Sequence, residues 1–371
     1  PPFQAEDGIR DDWLRLVGSE MCIRDRAYID TFPGKDLDHE FRGNIVDVCP
    51  VGALVHEDFV FKARAWDMDS APGICPGCST GCNIDIDAKE NQIVRTKPRF
   101  NPDVNSYWMC DTGRRTLVMA NRGVRAEAPL IRREAELEPA SWNEALEWLA
   151  GRLGAEGGVA VVSAAASNES LFYTRQLLDR MGISGGSFEV PVGDEVTLSG
   201  FPRLKLRAER VPNATGAEAM GFGRSEGLPE VEDGAQLVVL GDALSGAPPE
   251  YGRNAGMFLY IGSHMYPAAH NATAVLPAST VPEMDGSFVN YEGRVQRFHR
   301  ALRSPGVARP PWMFLGRLLE KLGGAAGVGE VSDAFEAMAA GTPGMTALTW
   351  SGLGLRGELL SEAAQPAFAA E

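Results

Sequence analysis

Four cysteines are grouped in a pattern suited to binding iron. Cys75-Pro-Gly-Cys78-Ser-Thr-Gly-Cys82 is followed by Cys110, which gives the spacing C-x2-C-x3-C-x27-C. A cubane [4Fe-4S] cluster needs four thiolates that converge on one small volume, and a tight loop can supply three of them while a distant residue supplies the fourth. The two glycines of the loop let the backbone fold around the sulfide core and leave N–H groups free to bond sulfur. The spacing therefore predicts one complete [4Fe-4S] site.

Structural zinc is the main competing interpretation of this quartet. Zinc also accepts four thiolates and C-x2-C spacing, but zinc sites usually pair two C-x2-C knuckles. Here the second half of the pattern offers only Cys110. A zinc-binding interaction module stays open as an alternative.

Cys49 lies in the run Asp47-Val48-Cys49-Pro50-Val51-Gly52-Ala53-Leu54. A cysteine that precedes proline is typical of the closing ligand of ferredoxin-type clusters, whose partners lie upstream as C-x2-C-x2-C. Those partners are not present in the sequence. On the residues alone, Cys49 is either an orphaned cluster ligand or a buried structural thiol.

Composition narrows the class of protein. The chain has 371 residues, 44% of them hydrophobic, with 42 glycines, 24 prolines and a formal charge of -15. This length predicts two or three packed domains, and the glycine and proline content favours a loop-rich α/β protein over a helical bundle. The acidic charge argues against nucleic-acid binding. No apolar run is long enough to span a bilayer, so we expect no membrane insertion.

The sequence divides into four segments. Residues 1–26 (PPFQAEDGIRD and VGSEMCIRDR) resemble translated sequencing-adapter DNA. We therefore expect that these residues, including Cys22, are a non-native leader without function. The alternative is a genuine charged helix. Residues 27–69 hold the Cys49 run and the alternating stretch DFVFKARAW, which predicts a strand. Residues 70–125 hold the cysteine quartet among short predicted strands such as NIDIDA and QIVRTK. Residues 126–371 form the last domain, with a loose tail predicted beyond Gly323.

The last domain alternates strands and helices. Ser141 is a candidate N-cap, with Glu144 three residues later, for the helix WNEALEWLAGRLG. The apolar runs GVAVV, QLVVL, MFLYIG and TAVLP are separated by helical stretches such as NESLFYTRQLLDRMG. This pattern predicts a parallel sheet covered on both faces, Rossmann-like in class but without a dinucleotide fingerprint.

Several sequence blocks together resemble the large iron-sulfur subunit of bacterial NADH:quinone oxidoreductase, or complex I. These blocks are GNIVDVCPVGAL, FKARAW, CPGCSTGCN, WMCDTGR, VLPASTVPEMDGSFVNYEGRVQRF and ARPPWMFLGRLLEKLG. The resemblance implies that residues 27–69 are the remnant of a ferredoxin-like domain. Cys49 would then be the last ligand of a [4Fe-4S] cluster whose other ligands lie outside this sequence. It also implies that Cys75, Cys78, Cys82 and Cys110 hold an extra cluster, off the main electron path, that only some bacterial members keep.

The resemblance further implies a subunit that passes electrons from NADH, through a flavin-containing partner, toward quinone. Such a subunit lies in the peripheral arm, on the cytoplasmic face of the inner membrane. The complex is a proton-translocating enzyme, whereas this chain alone is expected to have no catalytic residues.

The family belongs to the molybdopterin oxidoreductase superfamily, so a pterin-dependent, formate dehydrogenase-like enzyme is an alternative function. Pterin enzymes of that type place a lysine two residues after the fourth cluster cysteine, where this sequence has Thr112. No cysteine beyond Cys110 could ligate molybdenum, although serine or aspartate could. We therefore expect a small β-rich [4Fe-4S] domain followed by a degenerate α/β domain of the molybdopterin oxidoreductase type, without bound molybdopterin.

The remaining polar motifs receive structural interpretations. The EMDGSFVNYEGRVQ block is interpreted as turn and hydrogen-bond residues that fix a buried polar loop: Glu283, Asp285, Asn290, Glu292, Gly293, Arg294 and Gln296. The five histidines show no metal-ligand spacing and are assigned no ligand role: His39, His56, His264, His270 and His299. Gly241-Asp242 is interpreted as a turn at the end of a strand.

Overall fold

The computed structural model describes residue 34 and residues 37–118, 123–325 and 327–361. The predicted leader, residues 1–26 with Cys22, lies outside the described residues. None of the described helices is both long and apolar enough to cross a bilayer.

The segment that carries Cys49 is mostly irregular. Helix α1 spans Gly43–Val48 and is followed by two single 3-10 turns, Glu57–Phe59 and Ala65–Asp67. The strand predicted for DFVFKARAW is therefore wrong. Phe61 has a φ of 63°, a left-handed conformation that interrupts extended backbone, and its side chain lies in solvent.

A small antiparallel sheet carries the cysteine loop. It contains β1 (Asp69–Ile74), β2 (Asn83–Lys89) and β3 (Gln92–Pro98) in the order β1-β2-β3. The strands predicted at NIDIDA and QIVRTK are confirmed as β2 and β3. Helix α2 (Asp111–Thr116) begins directly after Cys110.

An eight-stranded sheet forms the centre of the α/β domain. Its strands are β4 (Leu130–Arg133), β5 (Glu136–Pro139), β6 (Gly158–Val162), β7 (Ser187–Glu189), β10 (Gly223–Ser225), β11 (Gln236–Leu240), β12 (Met257–Gly262) and β13 (Ala274–Pro277). The order is β10-β7-β6-β11-β12-β13-β4-β5, with six parallel strands and the antiparallel pair β4 and β5 at one edge. Strands β11 and β12 are buried along their whole length, as expected for a parallel sheet covered on both faces. The predicted α/β class is confirmed.

Five helices accompany this sheet: α3 (Trp142–Ala150), α4 (Asn168–Arg180), α5 (Ala214–Ala219), α6 (Pro311–Lys321) and α7 (Val331–Gly341). The predicted cap of α3 is confirmed, because the Ser141 hydroxyl accepts a hydrogen bond from the Glu144 amide at 3.3 Å. Such a cap satisfies one of the amides that a helix start leaves unpaired. The helix α4 packs against α6, α7 and the strand β14 (Gly286–Val289).

Two small sheets connect the α/β domain with the cysteine region. One is the hairpin of β8 (Val196–Leu198) and β9 (Phe201–Leu206). The other contains β14, β15 (Arg294–Phe298) and β16 (Glu358–Leu359), in the order β14-β15-β16. Strand β15 contacts β1 of the cysteine sheet, so the two regions are packed together.

The loose tail predicted beyond Gly323 is wrong for the described residues. Helix α7 buries Ala334, Phe335 and Met338 completely, and β16 pairs with β15. The small residues that make this tail look unstructured let α7 approach α4 closely, while Phe335 and Met338 supply the apolar area that holds it there.

Candidate metal centre

The two ends of the cysteine loop are fixed by the strands that flank it. Cys75 follows β1 directly and Cys82 precedes β2 directly, and the Cys75 amide donates to the Cys82 carbonyl oxygen at 2.8 Å. Inside the loop, Gly81 has a φ of 63°, a conformation that glycine adopts without steric cost. The loop therefore closes as a hairpin turn with cysteines at its base and Cys78 at its tip.

The fourth cysteine reaches the same place from the start of α2. Cys110 is the N-cap of this helix, and its Sγ accepts a hydrogen bond from the Gly113 amide at 3.2 Å. A Cβ at Gly113 would lie 3.0 Å from the Cys75 Sγ and 3.2 Å from the Cys110 Sγ. Glycine at this position leaves the space between the two sulfurs open.

All four cysteines of the quartet are buried, with exposures of 4%, 3%, 7% and 6% for Cys75, Cys78, Cys82 and Cys110. Burial raises the pKa of the Cys110 thiol to about 12, and the nearby Cys78 sulfur adds to this shift. Burial also raises the pKa of Cys75 and Cys82, again with a contribution from the other sulfurs of the quartet. Cys75 packs with Cys82 and Cys78 packs with Cys110 in two apolar clusters, and Gly113 adjoins the sulfurs of Cys75 and Cys110, so the structure groups the predicted quartet in one buried region.

The surroundings of the four cysteines are suited to an iron-sulfur cluster. An amide donor to sulfur, a glycine without a side chain beside two sulfurs and the exclusion of water are features that hold and tune iron-sulfur clusters. Among the described residues, no three His, Cys, Asp or Glu side chains are arranged to hold one metal ion. A [4Fe-4S] cubane does not require its ligands to meet at one metal ion, because each of its four thiolates binds a different iron atom.

A hairpin from the α/β domain braces the cysteine loop. The Tyr291 amide donates to the Ser79 carbonyl oxygen at 3.0 Å, the Asn290 side chain to that of Thr80 at 3.3 Å, and the Gln296 side chain to that of Gly81 at 3.1 Å. These donors belong to the EMDGSFVNYEGRVQ block, which was interpreted as fixing a buried polar loop. The sequence did not predict that this block contacts the cysteine loop, because no local pattern connects residues more than 200 positions apart.

Cys49 has a different environment from the quartet. It is the C-cap of α1 and is only partly buried. The backbone amide of Leu54, with smaller effects from those of Val51, Ala53 and Gly52, lowers the pKa of Cys49 against the opposing effect of burial. Backbone amides that stabilise a thiolate are a feature of cluster ligands.

Helix α1 also reaches toward the quartet. The Asn44 side chain donates to the Met109 carbonyl oxygen at 2.9 Å, and the Met109 amide donates to Asn44 Oδ1 at 3.1 Å. Arg114 of α2 forms an ion pair with Asp47 of α1. The Cys49 segment is thus docked on the residues that carry Cys110.

A cavity of about 1640 Å³ opens at the carboxyl ends of the parallel strands. It is lined there by Ser163, Asp242, His264 and Ser279, and Pro76 of the cysteine loop also contributes. Open α/β sheets bind ligands at this edge, at the topological switch point where the strand order reverses. The switch here lies between β6 and β11, so Gly241-Asp242 is both a strand-end turn, as predicted, and part of the cavity wall.

Thr112 does not line this cavity. It borders a separate shallow pocket with Glu40 and Arg115, and its amide donates to Glu40 Oε1. Of the histidines, His299 pairs with Asp285 at 3.1 Å and His56 lies near Arg114, with its pKa lowered mainly by burial.

Three family profiles match the chain. They are the NADH-quinone oxidoreductase subunit 3 ferredoxin-like domain over residues 18–55, the molybdopterin oxidoreductase Fe4S4 domain over residues 68–121, and molybdopterin oxidoreductase over residues 125–210 and 250–321. The first match overlaps residues 18–26 of the predicted leader. The Fe4S4 match covers the whole quartet and supports a [4Fe-4S] cluster in this chain.

Curated relatives are subunits of the same respiratory enzyme. An NADH-quinone oxidoreductase G-type subunit of Rhizobium meliloti is 39% identical over 139 residues, 37% of this chain and 16% of that protein. Subunit 3 of the Thermus thermophilus enzyme is 38% identical over 153 residues, 36% of this chain and 19% of that protein. The mitochondrial NADH-ubiquinone oxidoreductase 78 kDa subunit of Neurospora crassa is 34% identical over 173 residues, 44% of this chain and 23% of that protein.

The chain is a homologue of the large iron-sulfur subunit of NADH-quinone oxidoreductase. The resemblance seen in the sequence is thereby confirmed. The matches span only 16% to 23% of the length of these three relatives. Acetylene hydratase from Pelobacter acetylenicus superposes on this homologue with a TM-score of 0.45 and 12% identity, over 78% of this chain and 74% of the hydratase; a likeness at that level supports no conclusion.

Proposed function

We propose that the chain binds one [4Fe-4S] cluster through Cys75, Cys78, Cys82 and Cys110 and transfers electrons as part of a respiratory NADH:quinone oxidoreductase. The observation that carries this proposal is the grouping of four buried cysteines: Cys75 packs with Cys82, Cys78 packs with Cys110, and Gly113 adjoins the sulfurs of Cys75 and Cys110. Four thiols buried together cannot ionise without a large cost, and a metal centre that binds them as thiolates removes that cost.

The chain's own residues hold and shield such a centre. The loop carbonyls at positions 79, 80 and 81 are held by the hairpin of the α/β domain, which keeps the loop closed. The Gly113 amide stabilises negative charge on the Cys110 sulfur. When bound, the cluster supplies one-electron transfer without bond chemistry. None of the described residues is assigned a catalytic role.

The wider assignment follows the relatives. The chain would lie beside the other peripheral-arm subunits, including the flavin subunit that oxidises NADH, on the cytoplasmic face of the inner membrane. Electrons would pass from NADH through that flavin subunit toward quinone. Cys49, whose pKa is lowered by nearby backbone amides, would be a ligand of a second [4Fe-4S] cluster.

One observation favours a second candidate function. The cavity at the carboxyl edge of the sheet approaches the cysteine loop at Pro76, and a pterin-dependent oxidoreductase would hold its cofactor next to a cluster. The absence of a cysteine beyond Cys110 and the position of Thr112 outside the cavity argue against it. We propose that no molybdopterin is bound.

The test is the metal content of the anaerobically purified chain. We expect about four irons and four acid-labile sulfides per chain, no molybdenum, and an EPR signal in the reduced state. Zinc without sulfide would instead identify an interaction module, and stoichiometric molybdenum would identify the pterin-dependent enzyme.

A further inference from the structure

An exposed patch of aromatic and basic side chains lies close to the cysteine quartet. We call it the aromatic-basic patch and define it by Phe100, Tyr107, Phe201, Arg203 and Arg356. The three aromatic residues are 40%, 60% and 44% exposed. Exposed aromatics with neighbouring arginines are typical of protein interfaces rather than of ordinary surface.

The members of the patch are contiguous. The rings of Phe100 and Tyr107 stack with centroids 4.3 Å apart, and the Arg356 guanidinium lies 5.9 Å from the Phe100 ring. Trp108 connects the two sides, because its ring is 6.5 Å from Tyr107 and 5.9 Å from Phe201. Arg203 donates to the Asp103 carbonyl oxygen.

The charge of the patch is opposite to that of the whole chain. The chain carries a formal charge of -15, yet residues 201–207 hold three cations and no acid. Arg95 and Arg99 do not add to this charge, because they pair with Asp87 and Asp85, and the Asp103 carboxylate of the neighbouring loop pairs with Arg294. Strand β9 turns Leu204 and Leu206 inward, so Arg203 and Lys205 face outward. Arg203 and Arg356 contact a carbonyl oxygen and a ring rather than a carboxylate, which leaves their charge available to a partner.

The loop that carries the patch is held in place by its own hydrogen bonds. The Asn101 amide donates to the Ser106 carbonyl oxygen at 3.0 Å, and the Ser106 amide donates back at 2.7 Å. The buried Asn105 side chain donates to the Trp108 carbonyl oxygen at 3.0 Å. A preformed surface loses little conformational entropy on binding.

One layer of side chains separates the patch from the quartet. Leu204, Leu206 and Trp108 pack in the same apolar cluster as Cys78 and Cys110. A protein that covered the patch would therefore lie next to the Cys78 and Cys110 side of the centre, which is a short path for an electron.

We propose that the aromatic-basic patch docks an electron-transfer protein with an acidic surface. The choice of an electron-transfer protein rests on the proposed function; the docking rests only on charge, exposure and preorganisation. In the exchange the reduced partner loses one electron and the centre held by the quartet gains it, with no bond made or broken.

The test uses a small acidic plant-type [2Fe-2S] ferredoxin as the probe and the full chain as its target. Binding is measured by calorimetry at low and high salt, which separates charge-driven docking from other association. The patch variant is Arg203→Glu/Arg356→Glu. The matched control is Arg152→Glu/Arg317→Glu, which changes the net charge equally at two other exposed arginines; Arg152 lies over the Trp148 ring as Arg356 lies over Phe100.

We expect ferredoxin to bind the chain at low salt and the patch variant to bind on the order of tenfold more weakly, with the control close to the unmodified chain. Reduction of the loaded chain by ferredoxin should slow in parallel, whereas reduction by dithionite should not change. Absence of binding at low salt, equal loss in both variants, or self-association that only the patch variant abolishes would overturn the proposal. If the purified chain holds no iron but still binds ferredoxin at the patch, the docking proposal stands and the missing iron refutes the proposed function.

Discussion

The cysteine quartet and the pocket of Glu169 are two buried polar sites with different surroundings. Glu169 is completely buried on α4, but Ser287 donates to it twice, from the amide at 3.0 Å and from the hydroxyl at 2.7 Å. The quartet buries four thiols almost as deeply, and the sulfurs of Cys75 and Cys110 adjoin the space beside Gly113. Glu169 accepts hydrogen bonds from protein donors, whereas burial, with a contribution from neighbouring sulfurs, raises the pKa of Cys75, Cys82 and Cys110.

This difference separates a structural polar site from a binding site. A buried carboxyl with matched donors fixes how α4 meets β14, and it needs nothing further. Buried thiols that repel one another when ionised are stable as thiolates only when a positive centre joins them. The contrast supports a metal centre at the quartet and a packing role for Glu169.

Removing one cysteine of the quartet should have the largest effect. Cys78→Ser is expected to reduce iron and acid-labile sulfide from about four each per chain to near zero, because a cubane needs all its protein ligands for stable retention. Cys49→Ser is the matched control and should keep the full content. Iron and sulfide assays with EPR measure both. Loss of all iron in the Cys49 variant would show that the quartet is not an independent site.

Breaking the brace between the domains should have the next largest effect. Gln296 donates to the Gly81 carbonyl oxygen at 3.1 Å and to Asn83 Oδ1 at 2.9 Å. Gln296→Leu removes the donor to the Gly81 carbonyl oxygen, whereas Asn83 Oδ1 still accepts from the Asn101 side chain at 2.6 Å. The expected cost is about 1–3 kcal/mol for the acceptor left unpaired, together with partial loss of iron on gel filtration.

A second buried glutamine provides the control for that variant. Gln236 donates to the carbonyl oxygens of Gly154 and Gly157 at 3.0 and 3.1 Å, far along the chain from the cysteine loop. Gln236→Leu should lower the urea midpoint by a similar amount but keep its iron. Equal iron loss in the two variants would mean that global stability, and not the brace, retains the centre.

The smallest effect is expected at Glu169. Burial raises the pKa of this carboxyl from 4.5 to about 6 in the folded chain. The folded state therefore holds the proton more tightly, so the contribution of Glu169 to stability is greatest below the unfolded pKa and decreases as pH rises through about 6.

Glu169→Gln should remove that pH dependence, which amounts to about 2 kcal/mol. Urea unfolding at a series of pH values measures it, with the exposed Glu336→Gln as control. A variant that keeps the slope of the unmodified chain would show that another group, and not Glu169, causes this pH dependence.

Local sequence predicted much of the α/β fold. Apolar runs of four to six residues indicated the central strands β6, β11, β12 and β13, and Ser141 with Glu144 predicted the start of α3. These features depend on neighbours within a few residues. The strand predicted at DFVFKARAW is wrong because alternation alone does not supply a pairing partner. The loose tail predicted beyond Gly323 is wrong because its burial depends on helices distant in sequence.

Residue order along the chain predicts a ligand set, because cysteine spacing in one loop limits which thiols can meet around a small volume, and that set stays a prediction until the metal content is measured. Residue order was also enough to identify the family, through blocks that stand in a fixed order. The support of the cysteine loop depends instead on the folded chain. The brace from Asn290, Tyr291 and Gln296, the space beside Gly113 and the basic face of β9 all join residues far apart in sequence. Such contacts arise from the packing of whole elements, and no local pattern encodes them.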